Sequence, residues 1–210
     1  MTIAVVSSCT TATYWPFLVP WAHAITHLNV TPDEIVIASD APAYIQDTVN
    51  SLLPVRWIQP ERTWTDHAAY IVNDAIAATT SEWIAKMDID DRARPEYLDG
   101  LNSAECDVWC VGYAYLNHDH YISDLTPEVI RRSSNNLLAS CSPFRRWLWE
   151  RQEWPDALFD DWIFWLRAAK AGARFCGSHT IGYEYTSHRS QFSRRLDHAL
   201  AQQQVAAERW

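Results

Sequence analysis

The chain has 210 residues, of which 48% are hydrophobic, 20% charged and 13% aromatic; this excludes wholesale disorder and suits one globular domain with a substantial core. Its formal charge of −9 excludes a uniformly basic nucleic-acid binder. The excess acid lies entirely in the first half: residues 1–105 carry 14 acids and 5 bases, residues 106–210 carry 12 of each. No apolar run reaches the roughly 18 residues of a membrane span. The strand-like opening Ile3-Ala4-Val5-Val6 lacks the basic and long apolar regions of a secretory leader. The five cysteines have no framework spacing, with Cys106 and Cys110 four apart. The expectation is reduced, mostly buried thiols in a protein that is cytoplasmic or peripheral at a membrane.

In chain order, Ile3–Ser7 reads as a buried strand and Tyr14–Leu28 as a helix despite Pro16 and Pro20. Glu34–Ser39 is a second strand, Pro42–Leu53 a short helix, Val55–Gln59 a third strand and Thr65–Thr80 a helix. Trp83–Met87 is a fourth strand that runs straight into Asp88-Ile89-Asp90-Asp91. Four such βα units predict a doubly wound, mostly parallel α/β sheet with helices on both faces, in a single domain. Ligands of these sheets bind beyond the carboxyl ends of the strands, which here carry Ser7–Thr11, Asp40 and Asp88–Asp91. Further on, Pro95–Leu101 is expected as helix, Asp107–Tyr115 as strand, Asn117–Leu125 as a polar loop or hairpin, Pro127–Arg132 as helix and Leu137–Cys141 as strand. Asp160–Gly172 is the clearest helix, with acids in its first turn, bases later and Gly at its stop. Strands at Arg174–Cys176 and Ile181–Tyr185 and a helix over Arg194–Glu208 complete the chain.

Three carboxylates within Asp88–Asp91 repel one another unless a cation sits among them. Hard oxygens suit Mg²⁺ or Mn²⁺, held by one or two carboxylates plus substrate phosphates; an acidic turn capping the following helix is the alternative. A phosphatase of the D-x-D-x-Thr/Val type is disfavoured, because Arg92 fills the Thr/Val position and the motif follows the fourth strand. Asp160-Asp161 opens a helix, whose N-terminus stabilises anions, so by position alone the pair reads as two N-cap acids.

Context decides between these. The stretch from Asn73 to Asp91, with Asp88 fifteen positions after the Asn, resembles the family 2 glycosyltransferases, which have the GT-A fold and an Asn-bearing helix leading into a hydrophobic-D-x-D-D strand end. Phe159-Asp160-Asp161 through Arg167 to Gly172 is similar to the family's (E/D)D-x-x-x-x-x-R…G helix, and Tyr185-Thr-Ser-His188-Arg-Ser-Gln-Phe-Ser193 to its Y-x-x-H-x-x-S-x-S segment. Ile3–Thr10 and Ile35–Asp40 occupy its first strand and acidic second-strand end, so the likeness covers about residues 3–193. Val72 replaces the usual Arg before the Asn, Ser39 precedes Asp40 where paired acids are common, and Ser81 replaces a Gly.

The resemblance implies a metal-dependent inverting transfer of a sugar from a nucleotide diphosphate, a UDP- or GDP-sugar, to an acceptor hydroxyl. It implies Asp161 as catalytic base, Asp90 as metal ligand, and Asp88 shared between metal and ribose. Asp91 would orient its neighbours, and His188 would reach the metal or diphosphate. Thr10, Asp40 and Asn73 would line or support the donor pocket, with a solvent-facing Asn73 the alternative. The cofactor would be Mn²⁺ or Mg²⁺. Among the twelve tryptophans, Trp147, Trp149 and Trp154, with Asp160, are candidates for an acceptor wall, and Trp162 and Trp165 for the core. Arg145-Arg146 and Arg194-Arg195 could meet phosphates, an anionic acceptor or solvent. Residues 1–105 would form the donor half and 106–210 the acceptor half. The acidic charge argues against a nucleic-acid acceptor. The alternatives are a catalytically inactive sugar-nucleotide or carbohydrate-binding module, and a sugar nucleotidyltransferase, which would open with a Gly-rich loop where this chain has Ser7–Thr13 without Gly.

Overall fold

In the computed structural model the described residues are 1–60, 69–103, 105–116, 118–187 and 197–209. His188, Arg194 and Arg195 lie outside them, as do the first residues expected in the Thr65–Thr80 and Arg194–Glu208 helices.

The first half alternates strand and helix as expected: β1 (Ile3–Cys9), α1 (Leu18–Thr26), β2 (Glu34–Ser39), α2 (Ala43–Asn50), β3 (Arg56–Ile58), α3 (Ala69–Ala77) and β4 (Trp83–Lys86). β1 lies between β2 and β4, parallel to both, and β3 adds in parallel to β2. The chain thus builds outward from β1 on one side and then returns to its other side. That reversal opens a crevice beyond the carboxyl ends of β1 and β4.

Strand side chains alternate between two cores. Ile3, Val5, Ile37, Trp83 and Ala85 pack with Leu18, Trp21, Ala22 and Ile25 of α1 and Val49 of α2. Ala4, Val6, Val36, Ala38 and Ile84 face the other way, against Ile71, Val72, Ala75 and Ile76 of α3. The expected helix over Tyr14–Leu28 begins as a 3-10 turn at Trp15–Phe17, and α1 starts at Leu18. Pro16 and Pro20 both fall in first turns, where a missing N–H forfeits no helical bond.

The second half holds β5 (Arg92–Ala93), β6 (Val108–Tyr115), β7 (His118–His120), α4 (Pro127–Arg132), β8 (Phe144–Arg145), α5 (Arg146–Gln152), α6 (Asp160–Lys170), β9 (Phe175–Tyr185) and α7 (His198–Glu208). The sheet runs β3-β2-β1-β4-β8-β6-β9-β5, with β7 paired to β6 as the expected hairpin. β6 and β9 are parallel, while the short strands β5, β7 and β8 pair antiparallel. The sheet is therefore parallel along most of its paired length. α6 buries Trp162, Ile163, Phe164, Trp165 and Leu166 against the core that holds α3 and Leu148 of α5.

Three expectations are corrected. Over Pro95–Leu101 the chain is a series of turns to Gly100 that leads into a 3-10 turn at Leu101–Ser103 rather than an α-helix, with Tyr97 N–H bonding Arg94 O and Asp99 N–H bonding Glu96 O. Tyr97 and Leu98 are both buried, and Gly100 takes a φ of +88° that ends any helix. Leu137–Cys141 is not a strand, because its amides go to side chains: Leu138 N–H to Asn136 Oδ1 and Ser140 N–H to the Tyr185 hydroxyl. The strands expected at Arg174–Cys176 and Ile181–Tyr185 are one, β9, whose register against β6 shifts between Cys110 and Tyr113. The five cysteines form no disulfide, and all except Cys176 are buried. No helix among the described residues is long and apolar enough to cross a membrane.

Candidate active site

A cavity of about 650 Å³ opens beyond the carboxyl ends of β1, β4, β6 and β9, a size typical of small-molecule sites. β1 delivers Ser8–Thr11, β4 delivers Lys86 and Asp88–Asp91, β6 delivers Tyr113 and Tyr115, and β9 delivers Tyr185. The opposite wall is the start of α6, with Asp160, Asp161 and Trp162, and the bend holding Asn135, Asn136 and Ser140. Five carboxylates therefore share one cavity. Among its described lining residues Lys86 alone is a Lys or Arg.

Lys86 lies on a strand buried throughout and is only 6% exposed. Its ammonium is 2.6 Å from Asp88 Oδ1 and 5.3 Å from the centre of the Trp154 ring. Burial alone would lower its pKa, but the charges of Asp88, Asp160 and Asp161 outweigh it and raise it above the ordinary lysine value. The other oxygen of Asp88 accepts from the Ser140 hydroxyl at 3.1 Å. Asp91 turns inward, accepting from Thr186 N–H at 2.7 Å and the Tyr183 hydroxyl at 3.2 Å. Burial, with Asp88 and Asp90 beside it, pushes its carboxyl up to about 8. Asp91 therefore bonds the protein while still contributing to the cavity lining.

Across the cavity, Asp160 and Asp161 each accept the next residue's amide within the first turn of α6 while lining the lumen; the N-cap itself is Phe159, so neither acid is a cap. Asp160 accepts from Asp161 N–H at 2.9 Å and from the Trp154 indole at 2.8 Å. Asp161 Oδ1 accepts from Trp162 N–H, and Oδ2 from the Asn136 amide, each at 2.8 Å. Both are half-buried at the cavity wall. Burial, then the charge of Asp160, raises the Asp161 carboxyl to about 7, and burial likewise raises Asp160. A carboxylate poised near neutrality can take a proton from a hydroxyl at working pH.

The remaining expected residues divide. Thr10 and Asp90 line the cavity; Asp40 and Asn73 do not. Asp40 sits just past β2 and accepts from the Trp15 indole at 3.2 Å. Asn73 neither faces solvent nor reaches the cavity. Its amide donates to Trp154 O at 3.0 Å, and its Oδ1 takes Trp149 Nε1 and Trp154 N–H at 2.8 Å each. It thereby fixes the segment that carries Trp154 beneath Lys86 and Asp160. The proposed acceptor wall of Trp147, Trp149 and Trp154 is absent from the cavity lining. Trp154 is 2% exposed and stacked on Phe164, while Trp147 donates to Asp107 and Trp149 to Asn73. The reason is polar satisfaction: each indole N–H has a protein acceptor, which holds the three rings away from the lumen, Trp154 buried and the other two half-buried. Arg145 lies over Trp83 at 4.3 Å, and Arg146 bonds Ser81 O, Ile76 O and the Thr79 hydroxyl, so both serve the fold.

Sequence reasoning missed Lys86, Asn136 and Ser140. Lys86 had a signal, being a lone cation in an apolar strand just before three acids; Asn136 and Ser140 had none. Thr11, in the β1 loop, has a buried hydroxyl without a hydrogen-bond partner among the described residues, a group available to a ligand. No cluster of three or more His, Cys, Asp or Glu among the described residues could hold a metal ion by itself. Asp88 and Asp90 still supply hard oxygens of the kind that bind Mg²⁺ or Mn²⁺ jointly with a substrate's phosphates, and the crowding that raises Asp91 favours added positive charge there. The donor set fits such an ion.

No family model matches the chain, and no curated protein matches it in sequence. Solved structures do match in fold. S. aureus TarS 1–349 in complex with UDP-GlcNAc superposes with a TM-score of 0.76 at 16% identity, over 99% of this chain and 66% of that one. The mannosyltransferase PcManGT from Pyrobaculum calidifontis, in complex with GDP-Man and Mn²⁺, gives 0.66 at 17% identity, over 98% and 64%. A longer S. aureus TarS gives 0.67 at 17%, over 89% and 37%. This chain thus spans less than two thirds of the length of each. The fold is that of the GT-A-type glycosyltransferases.

Proposed function

We propose that the chain transfers a sugar from a nucleotide-diphosphate sugar to an acceptor hydroxyl, with inversion at the anomeric carbon. The observation that carries this reading is Asp161, a carboxyl near pKa 7 facing the Asp88–Asp90 strand end across one cavity. The TarS structure with UDP-GlcNAc and PcManGT with GDP-Man support a nucleotide-sugar donor by shared fold.

The acceptor oxygen attacks the anomeric carbon as Asp161 takes its proton. The bond from that carbon to the diphosphate oxygen breaks, and the nucleoside diphosphate leaves with the electron pair. Asp161 is held for this by donors on both its oxygens. Asp90 and Asp88, with His188 from outside the described residues, would hold a divalent cation, which when bound neutralises charge on the diphosphate. Lys86 holds Asp88 in place through their 2.6 Å contact. Thr10, Thr11 and Asp40 belong to the nucleotide side, so residues 1–105 form the donor half and 106–210 supply the base and acceptor side.

The test is incubation with a panel of UDP- and GDP-sugars and Mn²⁺, measuring released UDP or GDP. Slow donor hydrolysis lost in Asp161→Asn supports the assignment. Nucleotide binding without turnover for any donor would make the chain a binding module instead.

A further inference from the structure

Asn136 stands in the bend between α4 and β8 and faces the cavity. Its amide has a fixed sense: Oδ1 accepts from Leu138 N–H at 3.2 Å, so Nδ2 is the end that meets Asp161. That nitrogen donates to Asp161 Oδ2 at 2.8 Å, while Trp162 N–H holds Oδ1. The carboxylate is thus gripped at both oxygens, from its own helix and from the neighbouring bend on the same wall of the cavity.

We propose that Asn136 is a positioning residue for the base: its amide fixes the rotation of the Asp161 carboxylate and stabilises its anionic form. The proposal rests on the reading of Asp161 as base. It also gives the irregular backbone at Leu137–Cys141 a purpose, since a regular strand there would commit the Leu138 amide to a ladder and release Asn136 from its orientation.

The groups around Asp161 set opposing demands. Asp160 on the same helix and Asp88 at the end of β4 disfavour its charge, and Lys86 on β4 favours it. The Tyr185 hydroxyl of β9 lines the same cavity, and burial raises its pKa well above the ordinary tyrosine value, so it keeps its proton. Trp154 of the α5–α6 connection spends its N–H on Asp160, and Gln202 of α7 is uncharged. Asn136 is therefore the side-chain hydrogen-bond donor to the base among the described residues. A hydrogen bond to the charged form lowers a carboxyl pKa, so removing it raises that pKa.

The experiment compares wild type with Asn136→Leu and with the nearly isosteric Asn136→Asp, which replaces the donor by an acceptor. The Asp161 side-chain carbon is titrated by ¹³C NMR on aspartate-labelled protein, its signal assigned by loss in Asp161→Asn. The same variants are assayed for UDP or GDP release across pH. The expected result is an upward displacement of the Asp161 titration by about one pH unit in Asn136→Leu and by more in Asn136→Asp. Release would then fall about fivefold at pH 7 and recover by pH 9. A merely structural role would lower the rate equally at every pH. An unmoved Asp161 carboxyl in whichever of the two variants folds overturns the proposal, whether or not sugar is transferred. A displaced carboxyl in a protein that turns over no donor upholds the contact and counts against the proposed function instead.

Discussion

Replacing Lys86 by Met keeps the unbranched side chain and its contact with the Trp154 ring but deletes the charge that faces Asp88, Asp160 and Asp161. Removing one partner of a fully buried ion pair typically costs about 3–5 kcal/mol. Lys86 is 8% exposed at its side chain but Asp88 is 38% exposed, so water screens part of the loss and about 2–3 kcal/mol is expected. For a domain of this size that is a melting temperature lower by roughly 5–10 °C. The pH dependence has a definite sign. Folding raises the Lys86 pKa, so the stability it contributes is complete everywhere below the ordinary lysine pKa of about 10.4 and is lost only well above it. Between pH 5 and 8 the change comes from its partner: Asp161 ionises near 7, so the deficit of Lys86→Met is larger at pH 8 than at pH 5. Urea unfolding in EDTA, at both pH values, measures this without a metal ion substituting for the lost charge. A variant within about 0.5 kcal/mol of wild type at pH 8, or one harmed more at pH 5, would refute the view that Lys86 is the internal counter-ion of this site.

Asp161→Asn should lower transfer by about 10²–10⁴-fold while nucleotide binding by calorimetry stays within about threefold of wild type. The wild-type rate should climb with pH through about 7, because the base must be ionised. The same substitution should stabilise the fold at pH 8 and change little at pH 4: a carboxyl raised by folding costs the native state stability as pH rises past its unfolded value. Chelation with EDTA should abolish nucleotide-sugar binding, with Mn²⁺ restoring it, and Asp90→Ala should reproduce the loss in the presence of Mn²⁺; unchanged binding in both would exclude a metal-bridged diphosphate. Asn73→Leu leaves the Trp149 indole and both backbone groups of Trp154 without partners, so urea unfolding should show a loss of about 3 kcal/mol or more.

The regular half of the fold was legible residue by residue. Glu34–Ser39 and Pro127–Arg132 have the bounds that apolar runs and caps indicate, since strand and helix periods are local properties of the chain. Leu137–Cys141 looked equally strand-like and is not, because the Asn136 side chain and the Tyr185 hydroxyl compete for its amides. The tryptophans around α6 suggested an aromatic wall, yet the indole N–H groups of Trp149 and Trp154 are drawn inward by Asn73 and Asp160. Composition and order cannot reveal a hydrogen-bond partner that lies elsewhere in the chain.

By itself the sequence determined the two-faced sheet, the placing of Asp88–Asp91 at a strand end and of Asp160-Asp161 at a helix start, and the concentration of acid in the first half. It left the charge balance of the site open, and three adjacent carboxylates argued for a cation from outside. The tertiary structure decided that one cation is built in: Lys86, read as one more strand residue, lies against Asp88 within reach of Asp160 and Asp161. It also decided which acids share a lumen and which hydrogen-bond donors hold them. The physical reason is range. Periodicity and capping act over a few residues and can be read along the chain, whereas ion pairs and amide donors form between strand ends and helix starts that meet only when the sheet closes.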